Sequence, residues 1–140
     1  MRVFLDLNIV LDVLLARPGR VAESENVLLR CDDLNAEMFL AWHSLATAYY
    51  LLRRGRTEQD ALADIDKILS WATIASVTDA DARRARSLRF LDFEDALQAV
   101  SAESCVSDCI VTRNVKDFRQ SKVAALLPVD FLTHYPVPRL

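Results

Sequence analysis

Short apolar runs alternate with stretches of helical periodicity along nearly the whole chain, and this alternation constrains the fold most. Residues 3–5 read as a strand, and residues 8–15 as a helix closed by Arg17-Pro18-Gly19. A second helix is expected over 21–30 and a short strand over 38–40. In HSLATAYYLLRRGR, Leu45, Tyr49 and Leu52 share one helical face. Thr57 opens another helix, in which Leu62, Ile65, Ile68 and Leu69 are expected to form an apolar stripe reaching Trp71. Residues 73–77 suit a β-branched strand, and Thr78 or Asp79 caps the basic helix ADARRARSLRF. Asp92 caps FEDALQAVSAES, residues 109–112 form the next strand, and LLPVDFLTHYPVPRL is expected to add an edge strand before an extended end. Strands separated by helices pair in parallel through helical crossovers, so the class is α/β with helices on both faces of the sheet.

One domain of 140 residues is expected, large enough to bury a core. With 52% hydrophobic residues, two glycines, four prolines and no low-complexity segment, the composition excludes a disordered chain. No apolar run has the length of a membrane span, and no secretory leader opens the chain, so a cytoplasmic protein with no membrane partner is expected. Cys31, Cys105 and Cys109 lack a CxxC pair or a nearby histidine and read as small buried hydrophobes. A net charge of −3 argues against a surface that binds nucleic acid throughout, while leaving room for a local basic patch.

Parallel sheets gather ligands at the carboxyl ends of their strands. Asp6 directly follows the first strand, Asp95 lies in the first turn of the helix opening near Asp92, and Asp117 follows the strand CIVT by one short turn. Each has an ordinary structural explanation: Asp6 as a cap, Asp95 as a capping-box acid, Asp117 as turn chemistry, and Asp12 as a solvated or cap-bonded helix residue. As a set at matched element ends, however, Asp6, Asp95 and Asp117 converge. Clustered carboxylates repel one another unless a hard cation neutralises them, and oxygen-only ligands suit Mg²⁺ or Mn²⁺. Such an ion lowers the pKa of a bound water and offsets charge on a phosphoryl oxygen, which points to phosphodiester hydrolysis.

FLDLNIVLDVLL, DFEDALQAVSA and IVTRNVKDF, in that order, resemble the three acidic motifs of PIN-domain proteins, in particular the VapC-like group. The likeness runs from residue 2 to about residue 135. It implies a three-layer α/β/α sandwich with a parallel sheet, and a Mg²⁺- or Mn²⁺-dependent ribonuclease acting on RNA. It further implies the toxin of a toxin–antitoxin pair, held by a small antitoxin protein, and a homodimer. By motif, Asp6, Asp95 and Asp117 match the metal-binding catalytic acids. Asn8, Thr112 and Asn114 match supporting residues, Thr112 beside the first aspartate, and Arg113 is a candidate phosphate contact.

One position departs from the family. The helix HSLATAYYLLRR carries Thr47 where an acidic residue is usual, and no carboxylate stands anywhere in it. A hydroxyl is a neutral, weak ligand, so the departure implies weaker cation binding and leaves a catalytically weakened binding or assembly module as the alternative. Glu94, Asp92 and Asp12 are the acids available to compensate, although Glu94 is turned about 100° from Asp95 on a helix. An aspartyl phosphotransferase needs a second acid at the place of Asn8, and a receiver-type domain needs an acid order this chain lacks. Arg53, Arg54 and Arg56, and Arg83, Arg84, Arg86 and Arg89, read as solvated helix cations that could rim an acidic cleft.

Overall fold

The computed structural model describes residues 1–137. Its sheet has five short strands, β1 (Arg2–Leu5), β2 (Glu37–Leu40), β3 (Ala72–Ile74), β4 (Cys109–Val111) and β5 (Ala125–Leu126). They pair in the order β3-β2-β1-β4-β5, each neighbour parallel. The helices are α1 (Leu7–Leu14), α2 (Val21–Asp33), α3 (Trp42–Leu52), α4 (Glu58–Trp71), α5 (Asp79–Ser87), α6 (Phe93–Ser104) and α7 (Pro128–His134), with a 3₁₀ turn at Val115–Phe118. The chain winds outward from β1 to β3, then crosses back over β1 to β4 and β5. The winding therefore reverses between β1 and β4, where open α/β sheets form a crevice.

Side-chain alternation along the strands builds the two faces. Val3, Leu5, Leu40, Cys109 and Val111 pack with Val10 of α1, Val27 of α2, Leu52 of α3, Ile68 of α4 and Phe131 of α7. Phe4, Phe39 and Ile110 face the other way, against Ala99 and Ala102 of α6. Ala85 of α5 packs in turn on Ala96 and Val100 of α6. The result is the expected three-layer α/β/α sandwich. All three cysteines are free and buried, and burial pushes the Cys31 and Cys109 thiols up to about 12, so they act as small hydrophobes.

Several local expectations are corrected. After the edge strand β5, the tail turns into α7, because Pro128 at the start of the helix suits its fixed φ and Phe131 is fully buried; residues 138–140 lie outside the described part. Strand β3 ends at Ile74 and α5 at Ser87, which leaves Arg89 in the loop before α6. On α4 the buried stripe is Ala61, Asp64 and Ile68, while Leu62 and Leu69 are exposed. That rotation is tolerated because Arg56 and Lys67 reach the Asp64 carboxylate at 2.8 and 3.0 Å.

Asp12 is neither solvated nor a cap. It is fully buried, and its carboxylate accepts hydrogen bonds from Ser24 Oγ (2.8 Å), Arg113 Nε (2.8 Å) and Arg17 (3.3 Å). Burial alone would raise its pKa, but these three donors outweigh it and hold Asp12 below the ordinary aspartate value. Arg113 also donates to Glu23 (2.6 Å), Ser24 Oγ (2.9 Å) and the Arg20 carbonyl (3.2 Å). The donors of Arg113, the candidate phosphate contact, are thus engaged by α1 and the start of α2.

Removing one partner of a buried pair strands the other charge. Arg113→Met is expected to lower stability by about 3 kcal/mol in urea denaturation, and adding Asp12→Leu to recover most of that loss. A single variant as stable as the wild type would remove this assignment.

Candidate metal-binding cleft

The β1–β4 reversal carries Asp6 on one strand end and Thr112 on the other. Asp6 caps α1, accepting from the Asn8 backbone N–H at 3.2 Å, and its second oxygen accepts from Thr112 Oγ1 at 2.8 Å. The Thr112 hydroxyl also accepts the Asn114 N–H at 3.0 Å, which orders the turn leading to Asp117. Both Asp6 and Thr112 are buried. The capping explanation of Asp6 is therefore correct as far as it goes, but the same carboxylate opens onto a cavity.

That cavity, about 350 Å³, is lined by five carboxylates: Asp6, Asp92, Glu94, Asp95 and Asp117. Asn8, Thr47 and Asn114 line it as well, so every expected site residue except Thr112, which lies behind Asp6, and Arg113 meets there. Leu7, Leu11 and Leu51 supply apolar wall, and no lysine or arginine among the described residues lines it. Asp92 caps α6, accepting from the N–H groups of Glu94 (2.7 Å) and Asp95 (3.3 Å). The positive end of the α6 dipole thus faces the cleft. It does not offset the crowding. Burial, then the negative charges of Asp92, Asp117, Asp6 and Glu94, push Asp95 up to about 7. Burial, with Asp92 and Asp6, also raises Glu94.

Among the described residues, no three His, Cys, Asp or Glu side chains stand close enough to form a ready-made metal cage. The electrostatic coupling therefore acts over distances longer than coordination bonds. An open, oxygen-only, uncompensated set of this kind fits a hard cation that keeps several waters and takes one or two carboxylates, as Mg²⁺ does, better than Zn²⁺.

Glu94 and Asp92, expected only as acids that could compensate for Thr47, line the cavity, and so does Gln98, which was not among the expected site residues. For Glu94 the turn of about 100° from Asp95 suggested divergence, whereas Gln98, three residues after Asp95 on α6, carried a readable same-face spacing. The cavity lies across the end of α6, so side chains from different azimuths of its first turn border the same space. His43 of α3 comes within 4.0 Å of Glu94 without a hydrogen bond, and burial lowers its pKa, so it stays neutral at pH 7. Of the expected arginine rim, Arg56 and Arg84 are paired with Asp64 and Glu103. Arg54 lies over the Tyr50 ring.

With Asp95 raised from 3.8 to about 7, the folded protein holds more protons than the unfolded chain between those values. Asp95, with Glu94 adding to it, therefore contributes stability to the metal-free protein that is lost as pH rises from about 4 to about 7, while His43, lowered by burial, contributes in the opposite sense below 6.5; in thermal denaturation in EDTA, Asp95→Asn is expected to remove the falling contribution and leave a stability that rises more steeply with pH than the wild type's. Asp12, Asp64 and Asp81, all shifted downward, contribute stability that is lost only as pH falls below about 4. Equal pH slopes for the wild type and Asp95→Asn through the upper interval would contradict the crowding.

No curated protein matches the sequence significantly. Solved structures similar to it include VapBC2 from Rickettsia felis bound to a promoter DNA fragment, at a TM-score of 0.71 and 19% identity over 91% of this chain and 98% of that one. VapBC-1 from nontypeable Haemophilus influenzae gives a TM-score of 0.71 and 16% identity, covering 92% and 99%. FitAcB from Neisseria gonorrhoeae gives 0.65 and 15%, covering 91% and 98%. At such identities these structures speak to the fold. The PIN domain family model matches residues 2–116, and that stretch contains β1–β4, Asp6, Asp95 and Thr112: the chain belongs to the PIN domain family.

Proposed function

We propose that this protein is a Mg²⁺- or Mn²⁺-dependent endoribonuclease, the toxin of a toxin–antitoxin pair, working in the cytoplasm as a homodimer held by a small antitoxin protein. The observation that carries the reading is the meeting of Asp6, Asp95 and Asp117 in one cavity that no lysine or arginine among the described residues lines. Asp6, Asp95 and Asp117 would hold the ion, one or two of them directly and the rest through its waters, with Glu94 and Asp92 adding charge where α3 offers only Thr47. A divalent ion bound there lowers the pKa of a coordinated water and offsets charge developing on a phosphoryl oxygen. Thr112 keeps Asp6 oriented, and Asn114 and Asn8 offer neutral polar contacts at the rim. The similar structures are toxin–antitoxin complexes, which supports the antitoxin partner. No helix among the described residues is long and apolar enough to cross a membrane.

A second cavity, about 180 Å³, shares Asp92 and Asp117 with the acidic cleft and is lined by Arg89, Lys116 and Arg119. Among the described residues none of these three cations has a carboxylate within ion-pair distance. Unpaired cations in a concavity beside the metal site suit the phosphates flanking a scissile one, and they account for nucleic-acid binding by a chain of net charge −3.

Thr47 favours a second reading, a PIN fold that binds without cutting. Incubation with single-stranded and structured RNA separates the two. Cleavage is expected in Mn²⁺, abolished by EDTA, and reduced at least about 100-fold by Asp6→Asn or Asp95→Asn, the scale of removing one preorganised electrostatic contact. If the wild type cuts nothing while Thr47→Glu tightens Mn²⁺ binding in calorimetry, the binding module stands instead. For the cationic shelf, RNA binding to Asp6→Asn protein is measured against salt. Adding Arg89→Ala, Lys116→Ala and Arg119→Ala should reduce the log–log slope by about 2, and an unchanged slope would place the RNA elsewhere.

A further inference from the structure

The carboxyl ends of the strands carry a third concavity, of about 150 Å³. It lies beyond β2 and β3, where Trp42 and His43 open α3 and Val77 follows β3, and Ala82 of α5 with Leu97 and Val100 of α6 completes its wall. In the order of the sheet, the rim thus runs from this apolar cavity at β3 and β2, through the acidic cleft at β1 and β4, to the cationic cavity on the turn between β4 and β5. Neighbouring strands stand about 4.8 Å apart, so adjacent concavities lie within reach of successive nucleotides of one chain. The wall between the apolar cavity and the cleft is thin. Glu94, Asp95 and Gln98 of α6 line the cleft while Leu97 and Val100 line the cavity, and His43 Nε2 stands 4.0 Å from Glu94 Oε1 across the divide.

The lining selects the occupant. Thr78 and Asp81, which complete the lining with Ser101, bond each other in the capping box of α5; Ser101 Oγ donates to the Leu97 carbonyl, and His43 Nε2 is closed off from solvent. No lysine or arginine among the described residues lines the cavity, and the Asp81 carboxylate repels anions, so a phosphate does not suit it. What it offers is apolar surface beside an open indole, since Trp42 is 68% exposed and Val77 40%. Single-stranded RNA presents flat, unstacked bases, and such bases stack on exposed aromatic side chains. We propose that this cavity takes the nucleobase of a nucleotide adjoining the scissile phosphate, stacked on the Trp42 indole. The proposal rests on the ribonuclease reading above and gives the strand a path: a base in the apolar cavity, the phosphate to be cut in the acidic cleft, and flanking phosphates on the cationic shelf.

The test uses full-length Asp6→Asn protein, which holds RNA without cutting it, with Trp71→Phe added so that Trp42 is the one remaining tryptophan. Short single-stranded RNA is titrated in Mg²⁺ beside an abasic oligomer of the same length, and the tryptophan fluorescence is followed. The base-bearing RNA is expected to quench Trp42 and the abasic oligomer to leave it unchanged. In the Asp6→Asn protein with Trp71 retained, Trp42→Ala is expected to weaken RNA binding about 10-fold with no change in the salt slope, because a stacking contact releases no counterions, and Trp42→Phe to restore most of the affinity. Equal quenching by the two oligomers, or Trp42→Ala within twofold of its parent, overturns the proposal. So does a Trp42→Ala protein that falls from dimer to monomer in light scattering while its RNA affinity stays the same, which assigns the cavity to a second copy of the chain. Each of these outcomes leaves the ribonuclease reading standing if the wild type cuts RNA in Mn²⁺; a wild type that neither binds nor cuts RNA overturns both.

Discussion

The hydrogen bond from Thr112 Oγ1 to Asp6 Oδ2, 2.8 Å long, joins the two strand ends at which the winding of the sheet reverses. Every other feature of the cleft is arranged around it. β1 and β4 are neighbours through the pairs Val3–Cys109, Phe4–Ile110 and Leu5–Val111, and that register brings the next residue on each strand, Asp6 and Thr112, side by side. Asp6 thereby becomes a buried carboxylate with one oxygen held by the opposite strand and the other by the helix it caps. The same threonine hydroxyl orders Asn114. A single side chain thus couples the first acidic motif to the last across more than a hundred residues of chain.

Around that anchor the protein accumulates charge it does not neutralise. Five acids share a cavity with no opposing lysine or arginine among the described residues, and burial, followed by the repulsion of its neighbours, raises the pKa of Asp95. The contrast with Asp12 is instructive. Asp12 is more deeply buried, yet Arg113, Arg17 and Ser24 answer its charge and lower its pKa. Asp64, on α4, is likewise answered by Arg56 and Lys67. Where a carboxylate serves the fold, this chain supplies donors. In the cleft Asp6 and Asp92 receive neutral donors, but no lysine or arginine among the described residues lines it, and such withheld charge compensation is characteristic of functional sites.

Part of this design was legible in the sequence. Alternating strands and helices gave the parallel sheet, the caps at Thr57, Thr78 and Asp92 lay where their side chains predicted, and Asp6, Asp95 and Asp117 stood out through their places at element ends. Less legible was anything that depended on how a helix is rotated or which charges it meets. Leu62 and Leu69 look like core residues and are exposed, whereas Asp64 looks like surface and is buried. Arg113 stands beside Thr112 in an acidic motif, yet it turns away from the cleft toward Asp12 and Glu23. Glu94 and Gln98 border the cleft because the cavity lies over the end of α6, which no linear spacing encodes.

By itself, the sequence determined the layered α/β class and the acids that end its elements, because periodicity, capping and strand length are local properties of the chain. Only the tertiary structure decided which carboxylates would face each other unpaired and which would find an arginine. Pairing depends on separations of a few ångströms between residues that stand as much as 101 positions apart, as Asp12 and Arg113 do, and chain order alone does not set those distances.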